Sequence, residues 1–285
     1  MSELTLIQLT DTHIRGAGEP LLDGVDTHAA LVRALDKLRT GGQRVDALIL
    51  SGDLADNGSP EAYRRLRAVV EPAGAALGAP VLYVMGNHDE RTAFGEHLLD
   101  RAAGTVDAAV PHDRILEVGG LRVIGMDSTT PHRHDGRLEP GQLAWLAGQL
   151  RRPAERGTLL VLHHPPLPSA IPAAEFLKLQ DADALAEIVA GTDVRMILCG
   201  HNHMTAASSL AGVPVWVGPA LAYRIDAMAP VGHQRGVVGS GFTRLDVFGS
   251  TVVATAVETT DTAQLYDKAD TEVQDRLSAT ATEAG

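Results

Sequence analysis

Residues 4–13 read LTLIQLTDTH. Leu4 to Leu9 is a short, mostly apolar run, and Thr10-Asp11-Thr12-His13 breaks it at once. Such a run predicts a buried strand, with a carboxylate and an imidazole just past its carboxyl end. The same order recurs four times. Val45–Leu50 leads into Gly52-Asp53, Pro80–Met85 into Gly86-Asn87-His88-Asp89, Thr158–Leu162 into His163-His164, and Val194–Cys199 into Gly200-His201-Asn202-His203.

Helical patterns alternate with these strands. Thr27–Arg39 places Ala30, Leu31, Ala34, Leu35 and Leu38 on one face. Ser59-Pro60-Glu61 is a helix start, and that helix is expected to end near Val70, before Pro72. Further helices are expected near Ala93–Ala102, at Pro140–Leu150 and at Asp181–Ala190. Arg114–Val118 and Leu121–Met126 read as a hairpin about Gly119-Gly120. The last third reads as β, with Val213–Val217, Phe242–Val247 and Thr251–Val257. Alternating βα units imply a largely parallel sheet, and the added hairpins imply a second sheet packed on it. The expected fold is therefore α/β, a four-layer α/β/β/α sandwich of two mixed sheets. Residues 1–261 are expected to form one catalytic domain, and residues 262–285 a C-terminal extension, helical and then frayed.

Composition narrows the function. A formal net charge of −12 over 285 residues argues against a nucleic-acid partner, because backbone phosphates are bound by Lys and Arg. One cysteine, Cys199, cannot form an internal disulfide, so a reducing cytoplasm is the expected location. No run approaches the ~20 apolar residues that span a bilayer, so no stable membrane insertion is expected. There is no Gly-x-x-x-x-Gly-Lys-Ser/Thr loop and no Gly-x-Ser-x-Gly elbow, which sets aside P-loop and serine-hydrolase chemistry.

The ligands of an open α/β sheet gather beyond the carboxyl ends of its strands. Asp11, Asp53, Asn87, His163 and His201 all occupy such positions. Oxygen and imidazole donors without thiolate suit hard or borderline divalent ions. Two such ions, about 3.5–4 Å apart, need a shared anion, and Asp53 is the natural bridge. Asp11, His13 and His203 then complete one site, and Asn87, His163 and His201 the other. An extended backbone would aim Asp11 and His13 to one side of Thr12, and His201 and His203 to one side of Asn202. A hydroxide bridging the ions is the expected nucleophile for a phosphodiester. His88 is expected to serve as general acid or to stabilise the phosphoryl oxygens, with Asp56 orienting it. Asn87, His88 and His203 are expected to touch substrate, as are His132 and His134 in the loop at 130–138. His28, His97, His112 and His233 read as solvated.

At these residues the chain resembles the calcineurin-like metallophosphoesterase superfamily. Within it, the chain is most similar to the bacterial class III cyclic nucleotide phosphodiesterases, above all the mycobacterial and other actinobacterial members. Residues 9–13 (LTDTH), 51–56 (SGDLAD), 84–89 (VMGNHD) and 163–166 (HHPP) carry the likeness, together with 63–67 (YRRLR) and 191–195 (GTDVR) outside the metal motifs. The resemblance implies hydrolysis of 3′,5′-cyclic AMP to 5′-AMP and a homodimer. It implies an iron–manganese or di-manganese centre, with zinc, cobalt or magnesium as alternatives. It also implies loose specificity. A broader phosphodiesterase, acting on glycerophosphodiesters or 2′,3′-cyclic nucleotides, is the alternative within enzymes, and a metal-bearing interaction scaffold the alternative outside them. Asn202 departs from the small or apolar residue commoner between the two histidines. No tyrosine follows Asp53 where the purple acid phosphatase branch has a ligand.

Overall fold

The computed structural model describes residues 2–22, 24–169, 171–260 and 263–283. Leu4–Leu9 (β1), Ala47–Ser51 (β2) and Val81–Val84 (β3) run parallel, joined through helices Thr27–Thr40 (α1) and Pro60–Leu77 (α2). Arg91–Leu98 (α3) follows, and then the hairpin Arg114–Val118 (β4) and Leu121–Met126 (β5). Pro140–Leu150 (α4), Thr158–Leu162 (β6), Pro172–Glu175 (α5), Ala182–Val189 (α6) and Val194–Cys199 (β7) come next. Ala206–Leu210 (β8) and Val213–Val217 (β9) form a hairpin, and Arg224–Ile225 (β10) and Gly236–Val237 (β11) a short pair. Gly241–Phe248 (β12), Thr251–Glu258 (β13) and the helix Asp270–Glu283 (α7) complete the order.

One sheet runs β13-β12-β1-β2-β3 and the other β4-β5-β6-β7-β9-β8. Both are mixed, parallel at the centre with antiparallel strands added. The period-2 alternation of side chains sorts the core into three seams. Leu6, Ile49 and Val84 meet Val123, Leu159 and Leu198 between the sheets. Ile7, Leu9, Leu48 and Leu50 face α1, α2 and α3 on the outside of the first sheet. Ile124, Leu160, Leu162 and Ile197 face α4 and α6 on the outside of the second. The expected four-layer α/β/β/α sandwich is the observed one, and burial on both faces is why the central strands read as continuous apolar runs.

Two local expectations fail for physical reasons, and one strand, Ala206–Leu210, was not expected at all. α2 does not end before Pro72 but continues to Leu77, where Gly78 closes it in a left-handed conformation. Its buried face runs from Tyr63 through Leu66 and Val70 to Gly74, so packing beyond the proline outweighs the lost hydrogen bond. β8 carries small, exposed residues with little strand signal and exists by pairing with β9. His112 is half-buried, its ring stacked on Phe94 and its Nε2 on the Arg91 carbonyl. The expected boundary at residues 261–262 and the last two residues of the expected extension, 284–285, lie outside the described residues. Among the described residues, no helix is long and apolar enough to cross a membrane.

Pro72 is exposed on α2 and its ring offers no donor, so Pro72→Ala should stabilise the protein by about 1–2 kcal/mol, net of the added unfolded-chain freedom. Urea unfolding checks this as a higher midpoint at constant slope; a lower midpoint would mean that the ring's packing matters more than the hydrogen bond.

Candidate metal centre

Buried polar bonds join the two sheets at the carboxyl ends of their strands. The Gln8 amide on β1 donates to Ser51 Oγ at 2.9 Å and to the Cys199 carbonyl at 3.0 Å. The Asp11 N–H bonds the Gly52 carbonyl at 3.0 Å, and the His13 N–H the Asp53 carbonyl at 2.9 Å, so the loops after β1 and β2 run side by side. The Ala222 N–H bonds the Asp11 carbonyl at 3.0 Å, which brings the segment before β10 to the same place.

The loops do not present their ligands from extended backbone, as the alternation around Thr12 and Asn202 suggested. Asp11 (φ 52°), His13 (43°), Asp53 (49°), His201 (73°) and His203 (50°) all adopt the left-handed conformation. That region is uncommon for residues with a Cβ, and here it turns each chain sharply enough to aim two neighbours inward. Close approach makes a second demand. A Cβ on Gly86 would lie 2.2 Å from the Asp53 nitrogen, and one on Gly200 would lie 2.0 Å from Thr10 Oγ1. These two glycines let the loops after β3 and β7 press against the carboxylates of the first sheet.

The donors converge in three groups. The ligand atoms of Asp11, His13 and His203 lie within 4.8 Å of one another, as do those of Asp53, His163 and His201; a third group, His13, Asp56 and His88, shares His13 with the first. Hydrogen bonds fix the tautomers. His13 Nδ1 bonds Asp56 Oδ1 at 3.0 Å, His203 Nδ1 donates to the Tyr223 carbonyl at 2.9 Å, and His163 Nδ1 donates to the Ser51 carbonyl at 2.9 Å. In the neutral ring each leaves Nε2 to face the centre as an acceptor. The Nε2 atoms of His13 and His203 stand only 3.1 Å apart. His163 Nε2, His201 Nε2 and Asn87 Oδ1 are buried without a hydrogen bond. The Asn87 amide nitrogen lies 3.3 Å from His134 Nδ1, which turns its oxygen the other way. Buried acceptors left open in this number fit cations between them.

Charge follows the same geometry. Burial opposes ionisation of Asp53, but His163 and His13 hold its carboxyl well below the usual range. Burial likewise opposes a charge on His163, yet Asp53, 3.2 Å away, and Asp11 raise its pKa to about 9. His201 is pushed down to about 3 by burial and by His163. His203 is lowered by burial, with Asp11 opposing.

Asp56 sits elsewhere than expected. Its carboxylate serves His13 and stands 3.8 Å from His88 Nδ1, which bonds instead to the Asp56 backbone carbonyl at 2.8 Å. A cavity of about 450 Å³ opens over the centre and is lined by Asp53, Asn87, His88, His134, His201 and His203. His132 is not among its walls and lines a neighbouring cavity with Glu90 and Arg91. His164 is buried behind, its Nδ1 2.8 Å from Ser128 Oγ and its ring 4.7 Å from that of His201. Sequence reasoning missed the clamp made by Asp89. Its carboxylate accepts from the N–H groups of Gly86, Leu54 and Ala55 and from the Tyr63 hydroxyl, tying the loops after β2 and β3 together. Burial and nearby Asp53 raise its pKa to about 6.

Residues 4–205 match the calcineurin-like phosphoesterase family. The chain belongs to that family. A cAMP/cGMP dual specificity phosphodiesterase of Mycobacterium tuberculosis is 41% identical over 256 residues, which cover 90% of this chain and 79% of that one. A probable cyclic nucleotide phosphodiesterase of Rhodococcus erythropolis is 42% identical over 253 residues, covering 88% and 82%. A dimetal phosphatase from Danio rerio superposes with a TM-score of 0.66 over 92% of this chain and 98% of that one, at 14% identity, and so shares the fold.

The phosphoesterase stripped by a chelator should depend on pH through His163. Its folded pKa, about 9, exceeds the ordinary 6.5, so its contribution is fully present below pH 6.5 and is lost as pH rises through 9. Denaturant unfolding should show stability falling across that window. His163→Gln should flatten the slope; an unchanged slope would place the titration elsewhere.

Proposed function

We propose that this protein hydrolyses 3′,5′-cyclic nucleotides, cyclic AMP among them, to 5′-nucleotides on a pair of metal ions. The observation that carries the reading is the pair of donor groups on either side of Asp53, with open Nε2 atoms facing inward. The names of the mycobacterial and Rhodococcus relatives supply the substrate class. Asp11, His13 and His203 would hold one ion, and Asn87, His163 and His201 the other, with Asp53 shared. Iron with manganese, or two manganese ions, suit these donors; zinc, cobalt and magnesium are the alternatives. When bound, such a pair supplies Lewis acidity and a water activated at neutral pH.

The chain's own residues supply the rest. Asp56 and the Ser51 and Tyr223 carbonyls hold three imidazoles in the tautomer that leaves Nε2 free. His88 groups with His13 and Asp56, apart from the groups that hold Asp11 and Asp53, and its Nδ1 is fixed on the Asp56 carbonyl. Its Nε2 is the atom left to deliver a proton to the departing alkoxide or to bind a phosphoryl oxygen. His134 orients Asn87 and lines the same cavity. The proposal includes a homodimer in the cytoplasm, a reducing compartment that suits a single cysteine. A net charge of −12 favours a small anionic substrate over nucleic acid.

Steady-state kinetics on manganese-loaded protein should show cyclic AMP converted to 5′-AMP, with phosphomonoesters turned over far more slowly. His88→Ala should lower kcat about 100-fold or more while both metals stay bound. No turnover of cyclic AMP with any of manganese, iron or zinc would refute the reading.

A further inference from the structure

The cavity has a mixed lining. Hydrolysis accounts for Asp53, Asn87, His88, His201 and His203, but not for its apolar part. Leu21, Leu22, Ala174, Leu177 and Ile225 make up this apolar wall from three separate segments, in a lining that also holds Tyr223 and the polar Arg15, Asn202 and Gln234. We propose that this apolar wall seats the nucleobase of the substrate and is what selects nucleotides among phosphodiesters. The inference rests on the cyclic nucleotide reading above and names the residues that would enforce it.

Two observations carry it beyond the lining. The first is Tyr223. Its ring lies 4.2 Å, centroid to centroid, from that of His203, and its backbone carbonyl holds His203 Nδ1. One residue therefore holds a donor of the metal centre and lines the cavity. A tyrosine face is a surface on which any base can stack. A cavity of about 450 Å³ lined by both charged and apolar side chains matches a cyclic nucleotide, whose phosphate and base are joined by one ribose. A glycerophosphodiester is polar along its length and would leave the wall in contact with water.

The second is Leu22. It is 64% exposed and holds a φ of 48° in the turn where Leu21 and Val25 exchange backbone hydrogen bonds. Glycine or asparagine would serve that turn with less strain, and a polar residue would suit the exposure. A leucine this exposed contributes little to the core, and it lines the cavity, where an apolar side chain can contact a base. Leu177 comes to the lining from another segment, in a turn closed by its N–H on the Ala174 carbonyl at 3.1 Å.

Isothermal titration of manganese-loaded protein with 5′-AMP and with ribose 5-phosphate separates base from phosphate. The wild type should bind 5′-AMP at least about tenfold more tightly, and Leu22→Asn and Leu177→Ala should each cut that preference about threefold or more. The melting temperature of Leu22→Asn should hold or rise, because asparagine tolerates the left-handed backbone. Equal affinity of the wild type for both probes would overturn the proposal, as would variants that weaken both probes alike. A wild type that prefers 5′-AMP yet leaves cyclic AMP intact would refute the assigned activity and uphold the wall.

Discussion

Two imidazole nitrogens 3.1 Å apart, the Nε2 atoms of His13 and His203, set the terms for everything around them. Each ring has committed Nδ1 to a neighbour, so as neutral rings neither has a proton to offer the other; burial opposes a second proton on His13, but Asp56, Asp53 and Asp11 raise its pKa. Such a pair repels unless a cation or a proton stands between, and the adjoining Asp11 and Asp53 carboxylates make that position strongly negative. His163 and His201, their rings 5.0 Å apart, form a second donor group with Asp53. The centre is thus built around charges that the chain itself does not contain. When they are absent, protons on His163 and His13 are the partial substitute.

Bringing that many acceptors together has a structural cost, and the fold concentrates it in a few residues. Five of the donors occupy left-handed backbone, and glycine is needed where the loops touch. Rigid strands buried on both faces make this tolerable, because each loop is anchored by a strand that cannot shift without disturbing two core seams. Asp89 adds a clamp between two of the loops, with four donors on one carboxylate. The floor of the cavity is therefore preorganised, which is what an electrostatic site requires.

Much of this was legible in the sequence because the strands are short and apolar. β5, β6, β7 and β9 begin and end where the hydrophobic runs do. The donors stand out because polar residues follow those runs directly. Other features left no such mark. A backbone carbonyl is the same in every residue, so nothing in the sequence points to Ser51 or Tyr223 as the anchors of His163 and His203. The spacing of Asp56 and His88 points to a pairing but not to the atoms that make it; in the folded loops the carboxylate serves His13 and the backbone carbonyl serves His88. His132 and His134 are two residues apart, yet only His134 reaches the cavity. α2 passes Pro72 because packing further along the helix is invisible to a local rule.

The central claim is that two cations occupy the space on either side of Asp53. Anomalous diffraction from crystals grown with manganese tests it most directly. The account predicts two peaks about 3.5–4 Å apart, one among Asp11, His13 and His203, the other among Asn87, His163 and His201, with Asp53 touching both. A single peak, or peaks away from Asp53, would contradict it.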